Sequence, residues 1–216
     1  MYIPNSFAER DTATLFDFIE AHPLGALVTS EPGSGLFATH LPLVLDRATG
    51  PWGTLLGHIA RANPHSRLGN SPVSALVIFT GPNAYITPTW YATKRESGRV
   101  VPTWNYAVVH AYGTLRLRDD AEFLRAHLEA LTNQHESQRS SPWQLDDAPA
   151  DYIAQQMKAI VGVEFTIERL EGKWKMSQNR SPADIDGVVH GLSESQVPQE
   201  QTVASIVRDR RPQENA

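Results

Sequence analysis

The 216 residues are 41% apolar and 20% charged, enough to bury a sizeable core in one domain or a domain with a small appendage, and no apolar run approaches the length that spans a membrane. Acidic residues outnumber basic ones, 24 to 19, and the net charge of −5 argues against a surface built to grip nucleic-acid phosphates. The absence of cysteine excludes disulfides, iron–sulfur clusters and thiolate zinc sites, and Met1 to Arg10 lacks the layout of a secretory signal, so a cytoplasmic protein is expected.

Taken in order, Asp11 to Ala21 places Leu15, Phe16, Phe18 and Ile19 behind an Asp11/Thr12 cap and predicts a helix stopped by Pro23. Gly25–Ser30 and Leu36–Asp46 predict two strands joined by the turn sequence Glu31-Pro32-Gly33-Ser34-Gly35. Gly53–Ile59 predicts a third strand, Val73–Thr80 a fourth buried on both faces, Ala84–Thr87 a short fifth and Tyr106–Leu117 a long sixth. Helical periods over Glu122–His135 and Tyr152–Ile160 precede a strictly alternating strand, Val163–Leu170. Asp184–Leu192 and Val203–Asp209 predict short helices, and Arg210–Ala216 a frayed end. Many strands in sequence with few helices give a mainly β (α+β) class, a β-barrel with peripheral helices. The expected organisation is a barrel domain over 1–192, with a C-terminal helix and tail over 193–216. No Gly-rich strand–turn–helix of the Rossmann or P-loop kind is present.

Three stretches carry chemistry. Trp90 to His110 gathers aromatic rings (Trp90, Trp104, Tyr106), cations (Lys94, Arg95, Arg99) and the amide of Asn105 around a Pro-bounded loop. Rings beside cations suit a planar anionic ligand, and equally a hairpin whose aromatics seal the barrel end. The run Leu55 to His65 leads a strand into a turn marked by Asn63-Pro64; His58 on it reads as a buried core histidine or as an axial metal ligand. Along Gly172 to Arg180, alternation puts Lys173, Lys175 and Ser177 on one face and Trp174 and Met176 on the other, a fit for a phosphate or carboxylate cradle and equally for a solvated face. No nucleophile elbow or catalytic triad order is found, and Asp119-Asp120 and Asp146-Asp147 read as helix caps, so no catalytic residue is assigned and enzyme activity is left open.

A set of words in fixed order runs nearly the full length: Met1-Tyr2-Ile3-Pro4 with Phe7, Ala38-Thr39-His40-Leu41-Pro42, Gly57 to Pro64, Ile78 to Pro88, Trp90-Tyr91, Val101-Pro102-Thr103-Trp104-Asn105-Tyr106 and Gly172 to Asn179. In these the chain closely resembles the PaiB-like proteins, known as FMN-binding negative transcriptional regulators. It departs from their pattern at His65-Ser66 and at Met176. The resemblance implies an FMN-binding split β-barrel that forms a homodimer with its cofactor site at the subunit interface. The haem-dependent piperazate synthases are similar in Gly57-His58 through Pro64 and in Pro102 to Asn105; the His matching His58 is their iron ligand. Trp90-Tyr91, Lys94 and the whole Val101–Tyr106 word place this chain nearer the PaiB-like branch.

Two cofactor readings follow from the resemblance. With FMN, Lys173, Lys175 and Arg61 hold the phosphate, Trp90, Trp104 and Tyr106 wall the isoalloxazine, and Asn105 or Gln178 bonds its pyrimidine edge; Asn63, Lys94 and Ser177 complete the set. With haem b, His58 is the axial iron ligand, Lys173 or Lys175 pairs with the propionates, and Trp104 and Tyr106 touch the macrocycle. Direct DNA binding requires a basic groove assembled by the dimer, which the charge supports weakly.

Overall fold

The protein is described here from a computed structural model, which describes residues 1–31, 35–69 and 71–212. Among the described residues there are eight strands: β1 (Ala8–Glu9), β2 (Leu24–Glu31), β3 (Gly35–Pro42), β4 (Val44–Asp46), β5 (Thr54–Ala60), β6 (Val73–Ile86), β7 (Thr103–Arg118) and β8 (Ile160–Lys175). They form one sheet in the order β3-β2-β6-β7-β8-β5-β4, with β1 paired to β8. The β2–β3, β2–β6, β4–β5, β5–β8 and β1–β8 pairings are antiparallel. Six α-helices among the described residues accompany them: α1 (Thr12–Ala21), α2 (Ala92–Glu96), α3 (Ala121–Glu136), α4 (Ala150–Met157), α5 (Pro182–Ser193) and α6 (Pro198–Asp209). The fold is the expected mainly β split barrel, its sheet not closed into a full ring. Among the described residues no helix is long and apolar enough to cross a membrane.

The helices start where their caps dictate. Asp120 accepts a hydrogen bond from Phe123 N (2.8 Å) and opens α3; Ser181 Oγ accepts from Asp184 N (3.2 Å) and opens α5, with Pro182 in the first turn. Pro198 likewise begins α6 five residues before the expected start at Val203. The strand expected over Val163–Leu170 runs to Lys175, and the two strands expected at Val73–Thr80 and Ala84–Thr87 are one. Gly81-Pro82-Asn83 does not interrupt it. The β2–β6 pairing covers only Ala75–Ile78, so the missing N–H of Pro82 removes no bond to β2. Nor is Val73–Thr80 buried on both faces: Val77 and Phe79 are buried while Ser74 and Thr80 are exposed. A β-branched composition fits a half-buried pleated surface as well as a fully buried one. The turn at Pro32-Gly33-Ser34 and the last residues, 213–216, lie outside the described residues.

The chain divides into two compact units. The first comprises Met1–Thr14, Thr80–Val109 and Glu171–Ala216; the second, Leu15–Phe79 and His110–Leu170. The second unit has a core of Leu27, Leu55, Val77, Phe79, Phe165 and Ile167. In the first, α5 and α6 bury Val188, Leu192, Val203 and Val207, and the guanidinium of Arg210 lies 5.1 Å from the ring centroid of the buried Trp174. Trp90 lies along α5 because two glycines let it. A Cβ at Gly187 would fall 1.9 Å from the Trp90 carbonyl oxygen, and one at Gly191 2.3 Å from its indole.

Glycine inside a helix ordinarily costs about 0.5–1 kcal/mol relative to alanine. Here the sign reverses. Gly187→Ala is expected to lower unfolding stability by roughly 2 kcal/mol or more, because the opposing atom is backbone. Gly191→Ala should cost less, since an indole can tilt. Urea unfolding of both variants checks this; a gain in stability for Gly187→Ala overturns the packing account.

Candidate functional site

The twelve candidate residues fall into two groups, one in each unit. Nine belong to the first unit: Trp90, Lys94, Trp104, Asn105, Tyr106, Lys173, Lys175, Ser177 and Gln178. His58, Arg61 and Asn63 belong to the second.

In the first unit, a 60 Å³ cavity is lined by Thr103, Asn105, Lys175, Ser177, Asn179 and Arg180. At about 15 Å³ for each water-sized group, that is room for roughly four oxygens. The strand period of β7 puts Thr103 and Asn105 on one face. The end of β8 supplies Lys175, whose Nζ donates to Thr103 Oγ1 and to the Trp104 carbonyl (2.6 Å). Beyond β8 the chain reverses at Ser177, at φ +66° the one non-glycine residue of the described chain in the left-handed region. That conformation is held from both sides. The buried Asn105 amide bonds Ser177 Oγ (2.9 Å), while Gln178 accepts from Met176 N (2.7 Å) and donates to the Trp174 carbonyl (2.6 Å).

The charge of this pocket is one-sided. No acidic side chain lines it, and neither Lys175 nor Arg180 has an ion-pair partner among the described residues. Burial, followed by the charges of Lys173 and Arg180, holds the Lys175 ammonium below its ordinary pKa. Thr103, Ser177 and the two asparagines add neutral donors, the inventory an oxyanion requires.

The other residues of this unit have separate roles. Lys173 is buried, donates to the Tyr2 carbonyl (3.1 Å), and stands 5.2 Å from the Tyr106 ring and 5.7 Å from that of Tyr2. It is a cation sandwiched by phenols and does not line the cavity. Both ends of the Gln178 amide are spent on the turn. Lys94 is exposed and donates to Thr89 Oγ1 (3.3 Å). Trp90 rests on α5. Trp104 is 52% exposed, with its ring edge-on to Tyr85 at 6.3 Å. Arg180, which stacks 4.6 Å over the ring of Tyr91, and Thr103 were not given a ligand role from sequence, although Arg180 ends the Gly172–Arg180 stretch and Thr103 lies in the Val101–Tyr106 word.

In the second unit, Asn63 caps the turn after β5: its Oδ1 accepts from His65 N (2.9 Å), and its Nδ2 donates to Thr39 Oγ1 (3.1 Å). Arg61 binds both carboxylate oxygens of Asp119 (3.0 and 2.6 Å). His58, on β5, makes an imidazole–imidazole hydrogen bond through Nδ1 to Nε2 of His127 on α3 (3.0 Å). Nothing in the sequence pointed to His127, which sits on the apolar face of a helix with its Nδ1 buried and unpaired. The two tautomeric arrangements differ in what they bury. If His127 donates, its bare Nδ1 is the unpaired atom; if His58 donates, His127 buries an unpaired N–H and His58 presents a free lone pair at Nε2.

The chain's relatives bear on this geometry. Residues 1–169 match the family model described as "Putative FMN-binding domain". An uncharacterised protein of Emericella nidulans is 37% identical over 97% of each chain. The Bacillus subtilis protease synthase and sporulation protein PAI 2 is 32% identical over 97% of this chain and 98% of that one. The FAD and haem binding protein of Mycobacterium smegmatis superposes with a TM-score of 0.55 at 17% identity, covering 78% of this chain and 73% of that chain, which shows a shared fold. The chain is thus a split-barrel protein of the flavin-binding type of fold. It belongs to the family of FMN-binding domains that includes the PaiB-like proteins.

The histidine pair makes stability depend on pH. Burial, then the neighbouring His58, depresses His127 to about 4; burial alone lowers His58 and His22 and is the largest cause of the lowering at His110. A histidine depressed in the folded state gives stability that is present above the unfolded value near 6.5 and is lost as pH falls toward the folded value. Acidification from pH 7 to 4.5 is expected to remove on the order of 2 kcal/mol through His127. His127→Leu should flatten that slope without abolishing it, because the other three remain. A variant whose denaturant midpoint follows pH as steeply as the parent overturns the assignment.

Proposed function

We propose that this protein is a homodimeric flavin-binding protein of regulatory type whose ligand is FMN. The pocket of Thr103, Asn105, Lys175, Ser177 and Arg180 takes the phosphate. The observation that carries this reading is the pairing of two cations that have no carboxylate with a cavity of oxyanion size. Burial first, and then the neighbouring charges of Lys173 and Arg180, lower the Lys175 pKa, and a phosphate dianion would offset both. Tyr106 and the exposed Trp104–Tyr85 pair supply flat surface in the same unit. Bound flavin supplies redox capacity; the chain supplies phosphate binding, ring contacts and a hydrogen-bonded turn. Exposed Tyr85, Val101 and Trp104 also support pairing with a second copy. The excess of acidic side chains favours regulation through the ligand or another protein over a direct grip on DNA.

FMN added to the protein is expected to raise its melting temperature and quench tryptophan fluorescence. Lys175→Ala should weaken FMN roughly 30-fold, the loss of a charge-assisted contact. Riboflavin, which lacks the phosphate, should be nearly indifferent to that substitution. Absence of any flavin effect removes the proposal, and an equal loss for riboflavin removes the phosphate assignment. Light scattering that returns a single-chain mass removes the homodimer.

A second reading, haem b with His58 as axial ligand, has one supporting observation. The Nδ1 of His58 is held by another side chain, while its Nε2 has no hydrogen bond among the described residues, the arrangement that orients metal-binding imidazoles. Haemin titration should then give a Soret band that His58→Ala abolishes; an unchanged band in that variant ends this reading.

A further inference from the structure

The Gly57–Pro64 word contains an arginine that the flavin reading leaves unused, and Arg61 stands on the wall of the 310 Å³ cavity of the second unit. Ala121 and Leu124 of α3, Ala154 and Met157 of α4, and Lys158, Arg61 and Asp119 line that cavity. Its volume reaches the lower end of the range for small-molecule sites, about 300 to 1,000 Å³. The wall is apolar apart from its three charged members, and Met157 gives it an adaptable side.

The charges select the ligand. Both oxygens of Asp119 are taken by Arg61, which neutralises that carboxylate. Of the five guanidinium N–H groups, Nε also donates to the Lys158 carbonyl (3.0 Å) and Nη2 to the Ile160 carbonyl (3.0 Å), leaving one Nη1 hydrogen uncommitted. Lys158 is exposed and has no ion-pair partner among the described residues. One surplus positive charge and two sets of free donors therefore rim an apolar hollow. We infer that this cavity binds an amphipathic monoanion, a carboxylate on a short aliphatic chain or ring, with the apolar part against Leu124, Ala154 and Met157 and the carboxylate at Lys158 and Arg61. A cationic amphiphile of the same length meets the unpaired Lys158, and a neutral one leaves the free donors unused.

Octanoate, octylammonium and octanol separate these cases in a thermal-unfolding titration of the full chain. Octanoate at roughly ten times its dissociation constant is expected to raise the melting temperature by about 4 °C. Octylammonium and octanol should not raise it. Ala154→Trp, at an exposed helix position, fills the cavity and should erase the octanoate shift while the unliganded variant melts near the parent. Lys158→Glu should erase it too and let octylammonium stabilise. No octanoate shift, or one that survives in both variants, overturns the inference. So does displacement of FMN by octanoate, which would place both ligands in one site.

Discussion

The hydrogen bond between Asn105 and Ser177 is the constraint on which the first unit's pocket depends. A serine at φ +66° pays for a conformation that L-residues avoid, and the surroundings must over-determine it. They do so twice: the Asn105 amide fixes the hydroxyl, and the Gln178 amide closes the backbone between Trp174 and Met176. The reversal that results turns an edge of alternating side chains into a concave corner. Lys175 from the strand and Arg180 from beyond the turn then line one cavity, a juxtaposition that a straight continuation of β8 would not make.

The cations fall into two kinds, those engaged by other parts of the fold and those with no carboxylate partner among the described residues. Arg61 spends four of its N–H groups on Asp119 and two carbonyls, a clamp that joins the ends of β5 and β7 to the start of β8. Lys173 is spent as well, on a carbonyl and two phenol rings. Lys175 and Arg180 face only neutral oxygens, amides and a ring. A half-buried cation without a carboxylate partner is less well compensated than one engaged by the fold, and this is the physical basis of the phosphate assignment proposed for Lys175 and Arg180.

Much of the scaffold was legible because its signals are local. Alternation marks β7 and β8, a 3.6-residue period with an Asp120 cap marks α3, and Asn63-Pro64 marks a turn. What failed were the places where tertiary pairing decides. Pro82 looks like a break until β2 is seen to stop pairing at Ile78. Lys173, Lys175 and Ser177 look equivalent on a strand period, yet the left-handed Ser177 breaks the period and the sandwiching phenols withdraw Lys173. Arg61 looks like a phosphate cation until Asp119, 58 positions away, takes it. Sequence names side chains; it does not say which of them another element has already engaged.

The histidine pair extends the same reasoning to protons. His58 and His127 share one hydrogen bond, so two neutral rings leave the outer nitrogen of His127 unpaired whichever ring donates. Burying a bare acceptor is less costly than burying an N–H, and this pairing therefore favours His127 as donor and a protonated Nε2 on His58. A metal at His58 demands the reverse tautomer and a buried, unpaired N–H at Nδ1 of His127. That switch costs on the order of 1–3 kcal/mol. Iron affinity at His58 would have to overcome it, whereas an anion meeting Lys175 and Arg180 meets no such barrier. The proposed phosphate site needs no change of tautomer, whereas iron at His58 requires a proton to move, and this asymmetry is why the cation pocket ranks first.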